Sequence, residues 1–140
     1  SENKQISRYL DTIKDYERIG DHCSNIIEFF NDRYNKNLEM SLDSLQDLEQ
    51  MFASVDTMVN NSVKAFSNWD LEAAKLVEET ENKVDAMQEL FHERHLHRIN
   101  SGACTYHNTE YYIELLTNLE RIGDHCKNVS DTILALNRAS

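Results

Sequence analysis

The nine residues Asp15-Tyr16-Glu17-Arg18-Ile19-Gly20-Asp21-His22-Cys23 return 103 positions later as Asn118-Leu119-Glu120-Arg121-Ile122-Gly123-Asp124-His125-Cys126. Glu-Arg-Ile-Gly-Asp-His is identical in the two copies, and the register continues outside it: Tyr9 answers to Tyr112, Leu10 to Ile113, Ile13 to Leu116, Asn25 to Asn128 and Ile26 to Val129. Two helices therefore share an origin. The interval is too long for a solenoid unit and fits a duplicated bundle of about three helices, each of roughly 30 residues. In each copy Glu and Asp stand four apart, which stacks them on one side of a helix, one turn above the other. That is a ligand spacing. A glycine in a helix interior costs about 1 kcal/mol, so Gly20 and Gly123 predict close helix contact or a ligand geometry.

The rest of the chain reads as helix too. There is no proline, there are three glycines, and hydrophobic residues recur with a 3.6-residue period and without strand-like alternation. The predicted class is all-α, an antiparallel four-helix bundle in one domain, and 140 residues suffice for a continuous core. The net charge is -11, from 25 acidic and 14 basic residues. No nucleic acid is expected as a partner, an anionic membrane surface would repel the domain, and cations are its natural small ligands. Three cysteines without a signal-like leader suit a reducing compartment, hence a cytoplasmic location. No apolar run approaches the ~20 residues of a membrane span. Because the first motif copy arrives by residue 17 with no helices of its own repeat before it, the chain reads as a fragment.

Four helices are predicted. The first runs from about Lys4 to Tyr34, with an apolar stripe of Ile6, Tyr9, Leu10, Ile13, Gly20, Cys23, Ile27 and Phe30, and Asn35-Lys36-Asn37 ends it. The second runs from Ser41, its N-cap, to about Ser67 and buries Leu45, Leu48, Phe52, Val55, Val59, Val63 and Phe66. After a turn at Asn68-Trp69-Asp70, the third runs to about Ile99 with Ala73, Val77, Val84, Met87, Gln88 and Phe91 inward, and Asn100-Ser101-Gly102 stops it. The fourth, from about Thr105 to Arg138, buries Tyr112, Leu115, Leu116, Leu119, Ile122, Cys126, Val129 and Ile133.

Helical geometry then places the acidic pairs. With about 100° per residue and Leu119 at the centre of the fourth stripe, Glu120 falls near 100° and Asp124 near 140°. On the third helix, centred on Val84, Glu81 falls near 60°, Asp85 near 100° and Glu78 near 120°, on the same angular side. In an antiparallel pair such edges face each other. Glu81, Asp85, Glu120 and Asp124 can therefore converge across the seam, with no lysine or arginine expected on that edge. A multivalent cation would resolve their repulsion, and all-carboxylate ligation suits Mg²⁺, Ca²⁺, Mn²⁺ or Fe³⁺. The plainer alternative is that paired carboxylates are solvated helix surface.

At these residues the sequence resembles the PhoU family, whose members carry a Glu/Asp-x-x-x-Asp signature on helices of a duplicated three-helix bundle. Leu119 to His125 followed by Asn128 is similar to the motif of the family's last helix. Val77 to Leu90, with Glu81, Asp85 and Met87, is similar to that of the preceding one. The stretch His97 to Cys104 looks more like the cytoplasmic PhoU-like tails of bacterial sodium/phosphate cotransporters than like free-standing PhoU. The resemblance implies that residues 1–34 are the last helix of a first repeat and 41–138 a complete second repeat. It implies multinuclear metal binding, iron or zinc being typical, at Glu81, Asp85, Glu120 and Asp124, with Glu17 and Asp21 as half of another site. The sequence departs from the family at Asn118, where an acidic residue is common and where the first copy has Asp15.

Other residues carry plainer expectations. His22 and His125 point about 100° away from the motif aspartates and are expected to be satisfied, buried imidazoles. Cys23 and Cys126 are expected to be buried packing residues. The run His92 to Arg98 is expected to be a basic helix end facing its own dipole, with His92 beside Glu89 or Glu93 a lesser metal candidate. The leading functional expectation is a non-catalytic, metal-binding regulatory domain of a sodium-dependent phosphate transporter, partnered by the membrane part. A free-standing PhoU-type regulator of phosphate signalling is the alternative. A di-iron carboxylate oxidase would need paired Glu-x-x-His motifs, and only Glu89-Leu90-Phe91-His92 is present; a helical interaction module is the third class. An apolar face left open on the first helix predicts self-association, with a homodimer as one form.

Overall fold

A computed structural model describes residues 2–102 and 106–139, the side chains of 106–108 excepted. Among the described residues there are four helices and no strand: α1 Glu2–Asn35, α2 Leu42–Asn68, α3 Leu71–Asn100 and α4 Tyr106–Ala139. The all-α class and helical bundle follow the sequence reading. The expected start of the last helix at Thr105, and Cys104, lie outside the described residues.

The breaks are set by local chemistry. Ser41 caps α2, its Oγ accepting from the Ser44 amide at 3.2 Å, and Asp70 caps α3, its Oδ1 accepting from the Ala73 amide at 3.0 Å. Between them only Trp69 intervenes, in the left-handed region at φ 54°, so α2 and α3 are forced into an antiparallel hairpin. Gly102, at φ 75°, closes α3 in a conformation that glycine adopts without strain.

Helices α2, α3 and α4 share one core. Met51, Met58, Val77, Val84, Phe91, Tyr112, Leu115, Leu119 and Cys126 are all essentially inaccessible to water. Every residue expected on the α4 stripe is buried. On α2 the covered stripe is rotated by about one residue from the expected one. Ser44, Asp47, Leu48, Met51, Val55, Met58, Ser62 and Ala65 face inward, while Leu45 and Val63 are exposed. The inward line combines the small Ser44, Ser62 and Ala65 with Met51 and Met58, whose long side chains reach the core, and so departs from the line of Leu45 and Val63.

The larger correction concerns α1, which packs along α4. Ile6, Leu10, Ile13 and Ile27 are each more than half exposed, and Gly20 and Cys23 are exposed as well. What α1 buries is Thr12, Asp15, Ile19 and Ile26, with Tyr16, Phe29 and Phe30 packed beside them. The helix has two apolar faces about 120° apart, and α4 covers the less hydrophobic one. Gly20 accordingly has nothing within 4 Å of where a Cβ would stand, against the expectation of a close contact there.

The covered face is held by a polar joint. Asp15 Oδ1 accepts from His125 Nδ1 at 2.9 Å and from Asn128 Nδ2 at 3.4 Å. The mirrored set has Asn118 Oδ1 accepting from His22 Nδ1 at 2.9 Å and from Asn25 Nδ2 at 3.3 Å. Both acceptors are oxygens without a proton to give, so each imidazole donates through Nδ1. The two rings stack between these sets, centroids 5.7 Å apart. Repeat-equivalent residues thus meet about a local two-fold axis relating α1 to α4. The histidines are satisfied as expected, but they are only partly buried where burial was expected.

The symmetry makes a prediction. Because Asn118 already does on one side what Asp15 does on the other, Asp15→Asn should unfold within about 1 kcal/mol of the parent in denaturant titrations. Asp15→Leu, which leaves two donors unpaired, should cost about 1–3 kcal/mol. Equal stability of the two variants would remove the joint from the account of α1 docking.

Candidate metal centre

The α3/α4 seam places carboxylates as the helical wheel suggested, but less evenly. Glu81, Asp85 and Asp124 each bring one carboxylate oxygen within 4.8 Å of the others. Glu81 is buried, at 5% exposure, while Asp85 and Asp124 open to water. Glu120, half-buried one turn before Asp124, accepts a hydrogen bond from the Gln88 side-chain amide. Packing explains why Glu81 goes inward. Val77 and Val84 flank it on the buried face of α3, and opposite stands Gly123, where a Cβ would sit 3.4 Å from both Glu81 Oε2 and Met58 Sδ. Gly123 leaves the room that the carboxylate uses.

The electrostatics follow from this position. Glu81 is pushed up to about 8, first by burial, then by a proton shared with Asp124 and by the charge of Asp85. Glu120 is raised as well, by burial and then by Asp124 and Asp85. Glu81 Oε2 is buried with no hydrogen-bond partner. A buried acceptor left without a donor is costly, and a cation is the partner that three convergent carboxylates would take. The donor set is all hard oxygen, so the residues present fit a multivalent ion.

One expectation about this edge is corrected. Lys127 stands on it, its Nζ 2.9 Å from Asp131 Oδ2, and its charge acts on both Glu78 and Glu81. Glu78 in turn shares a hydrogen bond with Asp131 and is raised chiefly by it. The wheel centred on Leu119 puts Lys127 near 80°, beside Glu120, so extending the motif by three residues would have found it.

Glu17 and Asp21 are brought to no such cluster among the described residues. Both are exposed on α1, next to the open face that carries Ile13, Gly20 and Ile27. On α4 the equivalent residues Leu116, Gly123 and Ser130 are all buried. The face that α4 turns to α2 and α3 is thus the face that α1 leaves uncovered.

A second polar centre went unread in the sequence. Asp47 of α2 is buried and held by Arg94 at 3.0 Å and Arg98 at 3.2 Å, both from α3, while the Tyr112 hydroxyl donates to it at 3.3 Å. His95 is buried, stacks on Tyr112 with centroids 4.1 Å apart, and is pushed down to about 4 by burial and then by Arg98. The basic run therefore serves a tertiary ion pair as well as standing, with His97 and Arg98, in the last turn of its own helix. His92 and His97 are exposed. The available signal was Asp47 itself, a carboxylate three residues from Ser44 and four from Met51 on the covered stripe of α2. A charge there demands partners. Cys126 is buried as expected, and burial pushes its thiol up to about 12, whereas Cys23, expected to be buried, is exposed.

Comparison with known proteins agrees with this architecture. The family model of the PhoU domain matches residues 1–30 and 48–133. The chain is 30% identical over 138 residues to the phosphate-specific transport system accessory protein PhoU homolog 1 of Thermotoga maritima, which covers 94% of this chain and 57% of that protein. It is 29% identical over 122 residues to a phosphate-specific transport system accessory protein PhoU homolog of Xylella fastidiosa, covering 87% and 50%. The chain spans about half the length of the curated relatives it matches. No solved structure matches it significantly. With the family model matched along nearly all of α1 and from within α2 to near the end of α4, the chain belongs to the PhoU family.

Proposed function

We propose that this chain is the metal-binding part of a PhoU-type regulator of phosphate transport, acting by contact with the membrane-embedded transport machinery and without catalysis. The observation that carries the metal reading is the buried Glu81 carboxylate, its Oε2 without a hydrogen-bond partner, converging with Asp85 and Asp124. The relatives' names, accessory proteins of phosphate-specific transport, favour a separate regulatory chain over the tail of a sodium/phosphate cotransporter. No described helix is long and apolar enough to cross a membrane. We place the domain at the cytoplasmic face. A di-iron oxidase is disfavoured because Glu89-Leu90-Phe91-His92 is a single Glu-x-x-His motif where that chemistry needs a pair.

Glu81, Asp85 and Asp124 would hold the ion, with Glu120 completing the set on release from Gln88. Iron and zinc are the metals that the family resemblance suggests; Mn²⁺, Mg²⁺ and Ca²⁺ suit the donors equally. The ion would supply positive charge that ties α3 to α4. Residues 1–34 are read as the last helix of a first repeat and 41–138 as the second, so that Glu17 and Asp21 await a counterpart of α3.

Two measurements test this. Binding to the folded state alone adds about 2.7 kcal/mol at a hundredfold excess over Kd, so Mn²⁺, Fe³⁺ or Zn²⁺ should raise Tm and a chelator lower it. Glu120→Ala with Asp124→Ala should abolish that response and keep the helicity. The pH dependence has a definite sign. Folding lifts Glu81 from its ordinary 4.5 to about 8, so its contribution to the metal-free fold is present below about pH 4.5 and is lost as pH rises through 8. Metal displaces that proton, so the metal-dependent rise in Tm should grow across the same window, and Glu81→Gln should flatten both trends. A full Tm shift in the double variant sinks the site.

The second measurement concerns the open face of α1. Scattering mass should rise with concentration for the parent chain and stay monomeric for Leu10→Lys with Ile27→Lys, which charges that face and leaves the α4 joint alone. A parent that is monomeric throughout overturns the self-association reading.

A further inference from the structure

Across the antiparallel seam, Glu78, Glu81, Asp85 and Gln88 of α3 run against Asp131, Lys127, Asp124 and Glu120 of α4. Glu78 bonded to Asp131 fixes one end of this ladder and Gln88 bonded to Glu120 the other. Lys127 is therefore level with Glu81. Its ion pair with Asp131 contributes little to the helix, since both side chains are more than two-fifths exposed and lysine precedes the acid, the weaker order for an i,i+4 pair. In the first repeat the equivalent position is Ser24. An ammonium group thus stands on the acidic seam at the level of Glu81, whose Oε2 is, among the described residues, the carboxylate oxygen left buried and unpartnered, and its charge is felt there.

We propose that Lys127 is a tethered cation which fills the Glu78–Asp131 end of the seam and competes with a multivalent ion for Glu81, so that it sets the affinity of the centre. This rests on the metal reading given above. The ammonium reaches Asp131 through a flexible stem and can swing outward, so the ion meets a charge it must displace. A site with a movable competitor releases its metal more readily than four undisturbed carboxylates would.

The test is calorimetric titration of the full chain with Mn²⁺ alone, at low and at high ionic strength, for the parent, Lys127→Met, Lys127→Arg and Glu81→Gln. Lys127→Met should bind roughly tenfold tighter at low salt, with the gain shrinking at high salt as Coulomb interactions are screened. Lys127→Arg should stay near the parent. A lysine that merely steadied α4 would lower the metal-free Tm on replacement and leave Mn²⁺ affinity unchanged, and that result overturns the proposal. If the parent binds, Glu81→Gln does not, and Lys127→Met matches the parent, Lys127 alone is refuted. If neither the parent nor Lys127→Met binds, the metal reading falls and takes this proposal with it.

Discussion

A carboxylate withdrawn from water with one oxygen unpartnered is the interaction around which the α3/α4 seam is arranged. Glu81 lies on the buried stripe of α3 between Val77 and Val84, and its environment disfavours the ionised form strongly enough to move it to about 8. Three kinds of positive charge can answer that: a proton, the Lys127 ammonium, or a multivalent ion. The fold provides for each. Asp124 can share the proton, Asp131 anchors the ammonium, and Asp85 with Asp124 completes an oxygen cradle. Gly123 lies against this site, where a Cβ would stand 3.4 Å from Glu81 Oε2 and from Met58 Sδ.

The repeated motif serves two contacts at once, and this accounts for its length. In the second copy Glu120 and Asp124 lie on the α3 seam, while in both copies Asp or Asn at the start, His and the following Asn look toward the other copy of the same helix. The cross-bonding of His22 and Asn25 to Asn118, and of His125 and Asn128 to Asp15, needs both copies to be kept together. The departure at Asn118 is therefore no loss of a metal ligand. Asn118 is an acceptor in the α1/α4 joint, and an amide oxygen fills that role as a carboxylate oxygen does.

Much of this was legible in the residues. The helix positions, the Ser41 cap, the left-handed stop at Gly102 and the whole α4 stripe followed from periodicity and end signals, because α4 is enclosed and its hydrophobic line coincides with its contacts. The carboxylate cluster followed from the i,i+4 spacing and the antiparallel geometry. The misread stripes of α1 and α2 share one reason. On α1 and α2 the most hydrophobic line is not the line of closest approach, since Asp15, Thr12, Ser44 and Ser62 are buried where helices come near, while Ile6, Leu10 and Val63 stay in water. Hydrophobic counting weighs area and is blind to the polar side chains that a close seam can satisfy. The Asp47 centre was missed on the same ground, because its partners Arg94 and Arg98 lie 47 and 51 residues away.

The uncovered face of α1 can be specified further from the local two-fold. Leu10, Ile13, Glu17, Gly20 and Ile27 answer to Ile113, Leu116, Glu120, Gly123 and Ser130, the positions by which α4 meets the α2/α3 hairpin. Position 24 differs, for there the chain offers Ser24 in place of Lys127. On the metal reading proposed above, Glu17 and Asp21 would face an ion without a tethered ammonium beside them, and so with less competition than Glu120 and Asp124 have.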